Sequence, residues 1–212
     1  MTNIYCQILN ESIGQPKIMN NFNIKNSADD ISVSSIEADE GVFQNLWDRY
    51  NLPVRKFIFD MCGSFEQSEE LAQETFVRVF KGLKNFRQET KISTWIFGIA
   101  KNVVLESFRQ TKKHSRNVEI EAVEGFADRE ESASPENSLI EAEMFGAVFK
   151  ALEKIEPEQK ISFVLRVFHH KSYQEIAEIT GFGISKIKID IFRLRTKLRK
   201  QLSFYLKAND EL

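Results

Sequence analysis

From Glu40 onward the apolar residues recur at helical intervals. Val42, Phe43, Leu46, Trp47 and Tyr50 form one broad helical face, and Pro53 is placed to open a second helix with Val54, Phe57, Ile58 and Met61 inward as far as Gly63. A third helix is predicted from about Ser68. Glu69 and Glu70 suit its positive N-terminal end, and Leu71, Phe76, Val79, Phe80 and Leu83 are its stripe. The segment "KNFRQETKIS" breaks the period, and "TWIFGIAKNVVLESFRQTKK" resumes it through Trp95, Ile96, Ile99, Val103 and Phe108. The expectation is a four-helix domain over residues 39–113.

Residues 114–138, "HSRNVEIEAVEGFADREESASPENS", have no stripe and read as an acidic, flexible linker. Residues 1–38 and 207–212 read as tails. Between them, 139–206 is a second helical domain: a helix capped by Asn137 or Ser138, a turn at Pro157, the apolar "ISFVLRVFHH", and then "SYQEIAEITGFGISKIKIDIFRLRTKLRKQL". In this last stretch Ser172 and Glu175 make the S-x-x-E capping box, Gly181 supplies a left-handed helix end, and Ser185 is placed to cap the next helix. Ile187, Ile191, Leu194 and Leu198 fall in one narrow arc, with Asp190 near its boundary. Lys186, Ile189, Phe192, Arg193, Thr196 and Lys200 face outward, flanked by Lys188, Arg195 and Arg199. The pattern is that of a helix-turn-helix. The fold class is all-α, two small helical domains on a flexible tether.

Composition adds a charge argument. A net charge of −2 conceals +6 over 84–116, −7 over 114–143 and +6 over 185–200. Two basic surfaces separated by an acidic segment point to polyanion binding at two places. No apolar run approaches the roughly 18 residues that span a bilayer, so a cytoplasmic protein without membrane insertion is expected. Cys6 and Cys62 have no metal-ligand spacing, Cys62 reading as a small buried hydrophobe. His169 and His170 are adjacent and point to different sides of a helix, and no P-loop, nucleophile elbow or paired carboxylate is present. No catalytic residue, metal, cofactor or small-molecule substrate is expected.

The blocks "EELAQETFVRVFKGLKNFRQETKISTWIFGIAKNVVLESFRQTKK", "KSYQEIAEITGF" and "IFRLRTKLRKQL" resemble the second and fourth conserved regions of bacterial extracytoplasmic-function sigma factors, in the family's order. The resemblance implies a subunit that binds core RNA polymerase, directs it to promoters in a signal or stress response and helps to open the DNA. It also admits an anti-sigma factor as partner. Carried over residue by residue, Glu70, Gln73 and Glu74 would dock on polymerase, as acids without nearby basic residues on an exposed helix suit a basic surface. Asn85, Phe86, Arg87, Lys91, Ser93, Thr94, Lys101, Asn102, Arg109, Lys112 and Lys113 would bind the minus-ten element, whose everted base needs polar edges, a stacking surface and cations. For Trp95, at the start of the stripe, a core role is favoured. Ser172, Tyr173, Ser185, Lys186, Lys188, Ile189, Arg193 and Arg195 would meet the minus-thirty-five element.

Two departures stand out. Glu106 replaces the family's usual Asp between Asn102 and Arg109, a conservative change, and Asp190 stands where an Arg is common. The second leaves the minus-thirty-five preference open. The competing reading is a stand-alone helix-turn-helix regulator that binds an operator without polymerase.

Overall fold

The computed structural model describes residues 40–114, 146–148, 150–152 and 154–201. The expected tails, most of the linker and Cys6 lie outside the described residues, as do Leu139, Met144 and Phe149. Six helices carry the described fold: α1 (Glu40–Cys62), α2 (Phe65–Leu83), α3 (Ile92–His114), α4 (Pro157–Val167), α5 (Tyr173–Thr180) and α6 (Ile184–Gln201). Residues 146–148 and 150–152 are also helical, and no strand occurs among the described residues.

The N-terminal unit has three helices, because the two expected before Gly63 are one. Pro53 lies inside α1. Its ring removes an interior hydrogen bond, but Leu46, Tyr50, Val54, Phe57, Ile58 and Met61 are buried continuously on both sides of it, and that burial offsets the lost bond. α2 also starts earlier than the expected Ser68. Ser64 is its N-cap, accepting from the Gln67 N–H, while Ser68 is buried and donates its hydroxyl to the Phe65 carbonyl. Phe80, expected inward, is exposed; Ala72 and Thr75 complete the buried face instead. Trp95 packs over the end of α2, where a Cβ on Gly82 would lie 3.0 Å from its Cζ2, so a larger residue there would press on the indole ring.

In the C-terminal unit the capping box of α5 is complete, and Gly181 ends the helix at φ 75°. α6 begins at Ile184, so Ser185 is inside the helix and not its cap; the Gly183 carbonyl accepts from the Ile187 N–H at the entry. The expected stripe Ile187, Ile191, Leu194 and Leu198 is fully inward. Asp190, foreseen at the boundary, is indeed buried.

The two units are not separate in this conformation. α4 is buried from Lys160 to Leu165 and again at Val167, and it lies between them, with only its first turn exposed. Phe163 and Val167 pack on Val148, Leu152, Leu194 and Leu198, while Ile161, Val164 and Leu165 join the core of α1, α2 and α3. α4 thus lies on α1, and α5 lies on α3. Polar groups pin this seam. The buried Lys160 ammonium donates to the Met61 carbonyl, and the His169 Nε2 lies 2.9 Å from Asp60 Oδ2, with both side chains nearly sealed from solvent. The His169 ring stacks edge-on against Phe57 and Phe97. The next histidine, His170, takes φ 52° and shows part of its surface to solvent, and the partial desolvation of its ring, with the neighbouring His169, Arg166 and Lys56 charges, lowers its pKa.

Candidate nucleic-acid and polymerase interfaces

Glu70, Gln73 and Glu74 are exposed on α2. The expectation that these acids lack basic neighbours does not hold. The Arg78 guanidinium donates to Glu74 at 2.8 Å and to Glu106 of α3 at 2.7 Å, and Arg55 reaches Glu69 at 3.3 Å. The hydrogen bond from Arg78 holds the Glu106 carboxyl below the usual range, and donating to Glu106 and Glu74 raises the pKa of Arg78 in turn. Gln73 and Glu70 are therefore the open polar part of this face, beside the exposed Val77 and Phe80.

The candidates on the loop before α3 separate into displayed and hidden groups. Asn85, Arg87 and Lys91 are exposed, and Phe86 is half-buried with its ring centroid 5.0 Å from that of Trp95. The sequence reading of Trp95 agrees with its packing against the core. Ser93 and Thr94 are buried in the first turn of α3, and the Thr94 hydroxyl oxygen has no hydrogen-bond partner there. Further along α3, Asn102 is exposed and Lys101 is half-buried, which lowers the pKa of its ammonium. Arg109 and Lys112 are exposed, but each faces a carboxylate of the other unit, Glu158 and Glu156 respectively, both at 3.5 Å. Lys113 lies in the last turn of α3, its side chain outside the described residues.

On the helix-turn-helix, Ser172 is occupied as the α5 cap, accepting from Glu175 N–H while its own N–H donates to the Glu175 carboxylate at 2.8 Å. Burial pushes the Glu175 carboxyl up, but the Ser172 hydrogen bonds and the Lys171 and Lys91 charges outweigh it, and the net pKa is lowered. Tyr173 is half-buried, its ring under Arg166 at 4.8 Å and Lys188 at 5.4 Å. Ser185, Lys186, Lys188, Ile189 and Arg193 are exposed, and Arg195 is half-buried. Lys186 donates to Asp190 and sits 3.9 Å from the Phe182 ring centroid. The acid that stood where an Arg is common is therefore neutralised within its own helix.

Sequence reasoning did not single out three features. Glu156 and Glu158 flank Pro157 in "IEPEQ" and carry no signal of their tertiary partners. Asp60 and His169 are 109 positions apart and meet only across the seam. Phe192 was placed outward by helical projection but not counted as a binding residue, and it is 59% exposed. Among the described residues no group of His, Cys, Asp and Glu is arranged to hold a metal ion, and no helix is long and apolar enough to cross a membrane. Cys62 is half-buried, donating to the Ser64 carbonyl at 3.4 Å, with its thiol pKa raised by burial.

Comparison with known proteins gives a consistent result. The family described as Sigma-70 region 2 matches residues 46–114, and Sigma-70, region 4 matches residues 145–198, together more than half of the chain. The RNA polymerase sigma factor YlaC of Bacillus subtilis is 29% identical over 160 residues, covering 76% of this chain and 91% of YlaC. The ECF RNA polymerase sigma factor SigW of the same organism is 26% identical over 171 residues, covering 78% and 91%. Among solved structures, the sigma factor RpoE in complex with the anti-sigma factor NepR from Bartonella quintana matches with a TM-score of 0.61 at 22% identity, covering 76% of this chain and 97% of that one. CnrH in complex with the cytosolic domain of CnrY matches with a TM-score of 0.57 at 19% identity, covering 78% and 90%.

Proposed function

The chain belongs to the extracytoplasmic-function branch of the sigma-70 family, and from that premise we propose how its surfaces divide the work of directing RNA polymerase to promoters. As a sigma factor it is a regulatory subunit, and nucleotidyl transfer belongs to polymerase. The observation that carries the division is that its two basic helices, α3 and α6, sit in separate units, each beside a different set of candidate contacts.

Gln73, Glu70 and Glu74 dock on core polymerase. The loop carrying Asn85, Phe86, Arg87 and Lys91 receives an unpaired minus-ten base, with Phe86 on Trp95 as the stacking platform and Lys101, Asn102, Arg109, Lys112 and Lys113 along the adjoining strand. Ser93 and Thr94, buried in the first turn of α3, support this loop from beneath and do not themselves meet the strand in this conformation. Lys188, Arg193 and Arg195 on α6 hold the phosphates of the minus-thirty-five duplex, each cation adding to a salt-dependent affinity. Two modest sites carried on one polymerase act as a linked pair. Strand binding along α3 requires Arg109 and Lys112 to exchange Glu158 and Glu156 for phosphates, so the seam opens as the promoter complex forms.

An anti-sigma factor is the further partner we propose, since two structural neighbours were solved as complexes, the sigma factor RpoE with the anti-sigma factor NepR and CnrH with the cytosolic domain of CnrY. It would serve a signal or stress response, and the site of action is the cytoplasm, where polymerase is. The test is run-off transcription by core polymerase on an unbiased library of genomic fragments. The expected result is new, discrete start sites on adding the full chain. No stimulation from any fragment, with tight specific binding to DNA in the absence of core, would instead mark a stand-alone regulator.

A further inference from the structure

We infer that Ile189 and Phe192 form an apolar reading edge on α6 that selects adjacent thymines in the minus-thirty-five element through their C5-methyl groups. The inference rests on the sigma-factor reading above and extends it from phosphate contact to base choice.

The helical projection of α6 has an uncharged centre line. Ser185, Ile189, Phe192 and Thr196 run along the outward face at intervals of three and four residues. Lys188, Arg195 and Arg199 lie on one side of that line, and Arg193 and Lys200 on the other. A helix in the major groove has phosphate backbones to both sides and base edges in front, so cations belong on the flanks and base-reading groups in the middle. This helix has that division, except that its middle is apolar.

The exposure is real in the closed conformation: Ile189 is 48% and Phe192 59% accessible, the latter the most exposed large hydrophobic residue described. These exposed apolar side chains, one turn apart in the middle of a strongly basic face, are left uncovered by the described residues. The inward side of α6 is already filled by Ile187, Ile191, Leu194 and Leu198. The major groove offers one apolar feature at its base edges, the thymine methyl. Asp190 does not oppose such docking, because it is buried and paired with Lys186. The same arrangement explains how the chain dispenses with a common Arg here: base choice moves from a charged hydrogen-bonding group to shape and apolar contact.

The test uses holoenzyme assembled from core polymerase and the full chain. Promoters are first selected from a pool randomised upstream of the minus-ten element. Each thymine of the selected minus-thirty-five element is then replaced by uracil, which deletes the methyl and leaves the hydrogen-bonding edge unchanged. At one or two adjacent positions the wild-type holoenzyme is expected to lose several-fold in affinity. The double variant Ile189→Ala/Phe192→Ala should bind thymine and uracil templates alike, at the weakened level. Both positions are exposed, and an unchanged thermal transition of the variant will show that the fold is kept. Indifference of the wild type to uracil at every position overturns the inference while leaving the sigma reading intact, as does a variant that keeps the full thymine preference. Unimpaired promoter binding and transcription by the variant, with loss of a protein partner instead, also overturns it. Failure to select any promoter would remove the reading on which the inference rests.

Discussion

The basic helices α3 and α6 carry comparable cations but meet different neighbours. On α3, Arg109 and Lys112 face Glu158 and Glu156 from the opposite unit, Lys101 is half-buried, and α5 of that unit lies against the helix. On α6, Lys188, Arg193 and Arg199 are exposed, and the one acid of the helix is turned inward and paired. The closed conformation therefore pairs cations of one nucleic-acid surface with carboxylates of the other unit, at exposed positions, and leaves those of the other surface facing solvent. The difference has a physical basis in what each unit requires. A duplex can be met by a preformed helix face, whereas an unpaired strand exists only after opening, and a surface held back until then does not capture the wrong single strands.

The asymmetry depends on the seam, and the largest effect is expected where the seam is most apolar. Phe57 is fully buried between Phe97 and His169, with both ring centroids at 5.6 Å. Phe57→Ala should cost about 3–5 kcal/mol. Because α4 ties both cores together, urea denaturation of the wild type should show one transition, and the variant two. A single shifted transition would mean that the units remain coupled without this contact. Asp60→Ala is next: it leaves the buried His169 Nε2 without its acceptor, at about 1–3 kcal/mol. It should enlarge the radius of gyration in solution scattering and strengthen binding of single-stranded minus-ten DNA, with no change at the minus-thirty-five duplex.

A smaller effect sharpens the comparison from the displayed side. The folded pKa of Glu175 is lowered, so its contribution to the α5 cap is fully present above the unfolded carboxyl value near 4.5 and is lost as pH falls through the folded value. Glu175→Gln should therefore cost a few tenths of a kcal/mol at neutral pH, since the group is partly exposed. That cost should shrink in thermal melts as the pH falls below the unfolded carboxyl value and vanish once it lies under the lowered folded value. A cost that persists in acid would assign the effect to side-chain shape and not to charge.

What the sequence made legible follows from the range of the interactions. The capping box at Ser172, the left-handed Gly181, the inward stripe of α6 and the boundary position of Asp190 are all set by residues within a few turns, and each was readable from spacing. The fusion of α1 across Pro53 was not, because local propensity opposes it and burial on two other helices decides it. The N-cap at Ser64 lost to Ser68 in the reading for the same reason: Ser68 looks polar and terminal until its burial is known. Ser93 and Thr94 looked like contact residues, yet their exposure depends on the whole unit packed around them. Least visible was the covering of Arg109 and Lys112. The covering acids arrive from beyond the linker, and nothing local marks them.

The smallest predicted effect tests that covering most directly. Each of these ion pairs spans 3.5 Å between side chains that are more than 60% exposed, so neither contributes much to stability, about 0–1 kcal/mol. Their consequence is competition: a phosphate entering the α3 groove must displace a carboxylate of similar charge. Glu156→Gln/Glu158→Gln should leave the thermal transition nearly unchanged and raise the affinity for single-stranded minus-ten DNA by about two- to threefold, since one displaced pair is worth a fraction of a kcal/mol. The gain should fade between about 0.1 and 1 M salt as the Debye length contracts from about 10 to about 3 Å. Affinity for the minus-thirty-five duplex decides the meaning. If it rises equally, the two substitutions act through net charge over the whole molecule, and the contrast between α3 and α6 is not electrostatic. If it stays fixed while the minus-ten affinity moves, the acids act locally, as occupants of the phosphate positions along α3.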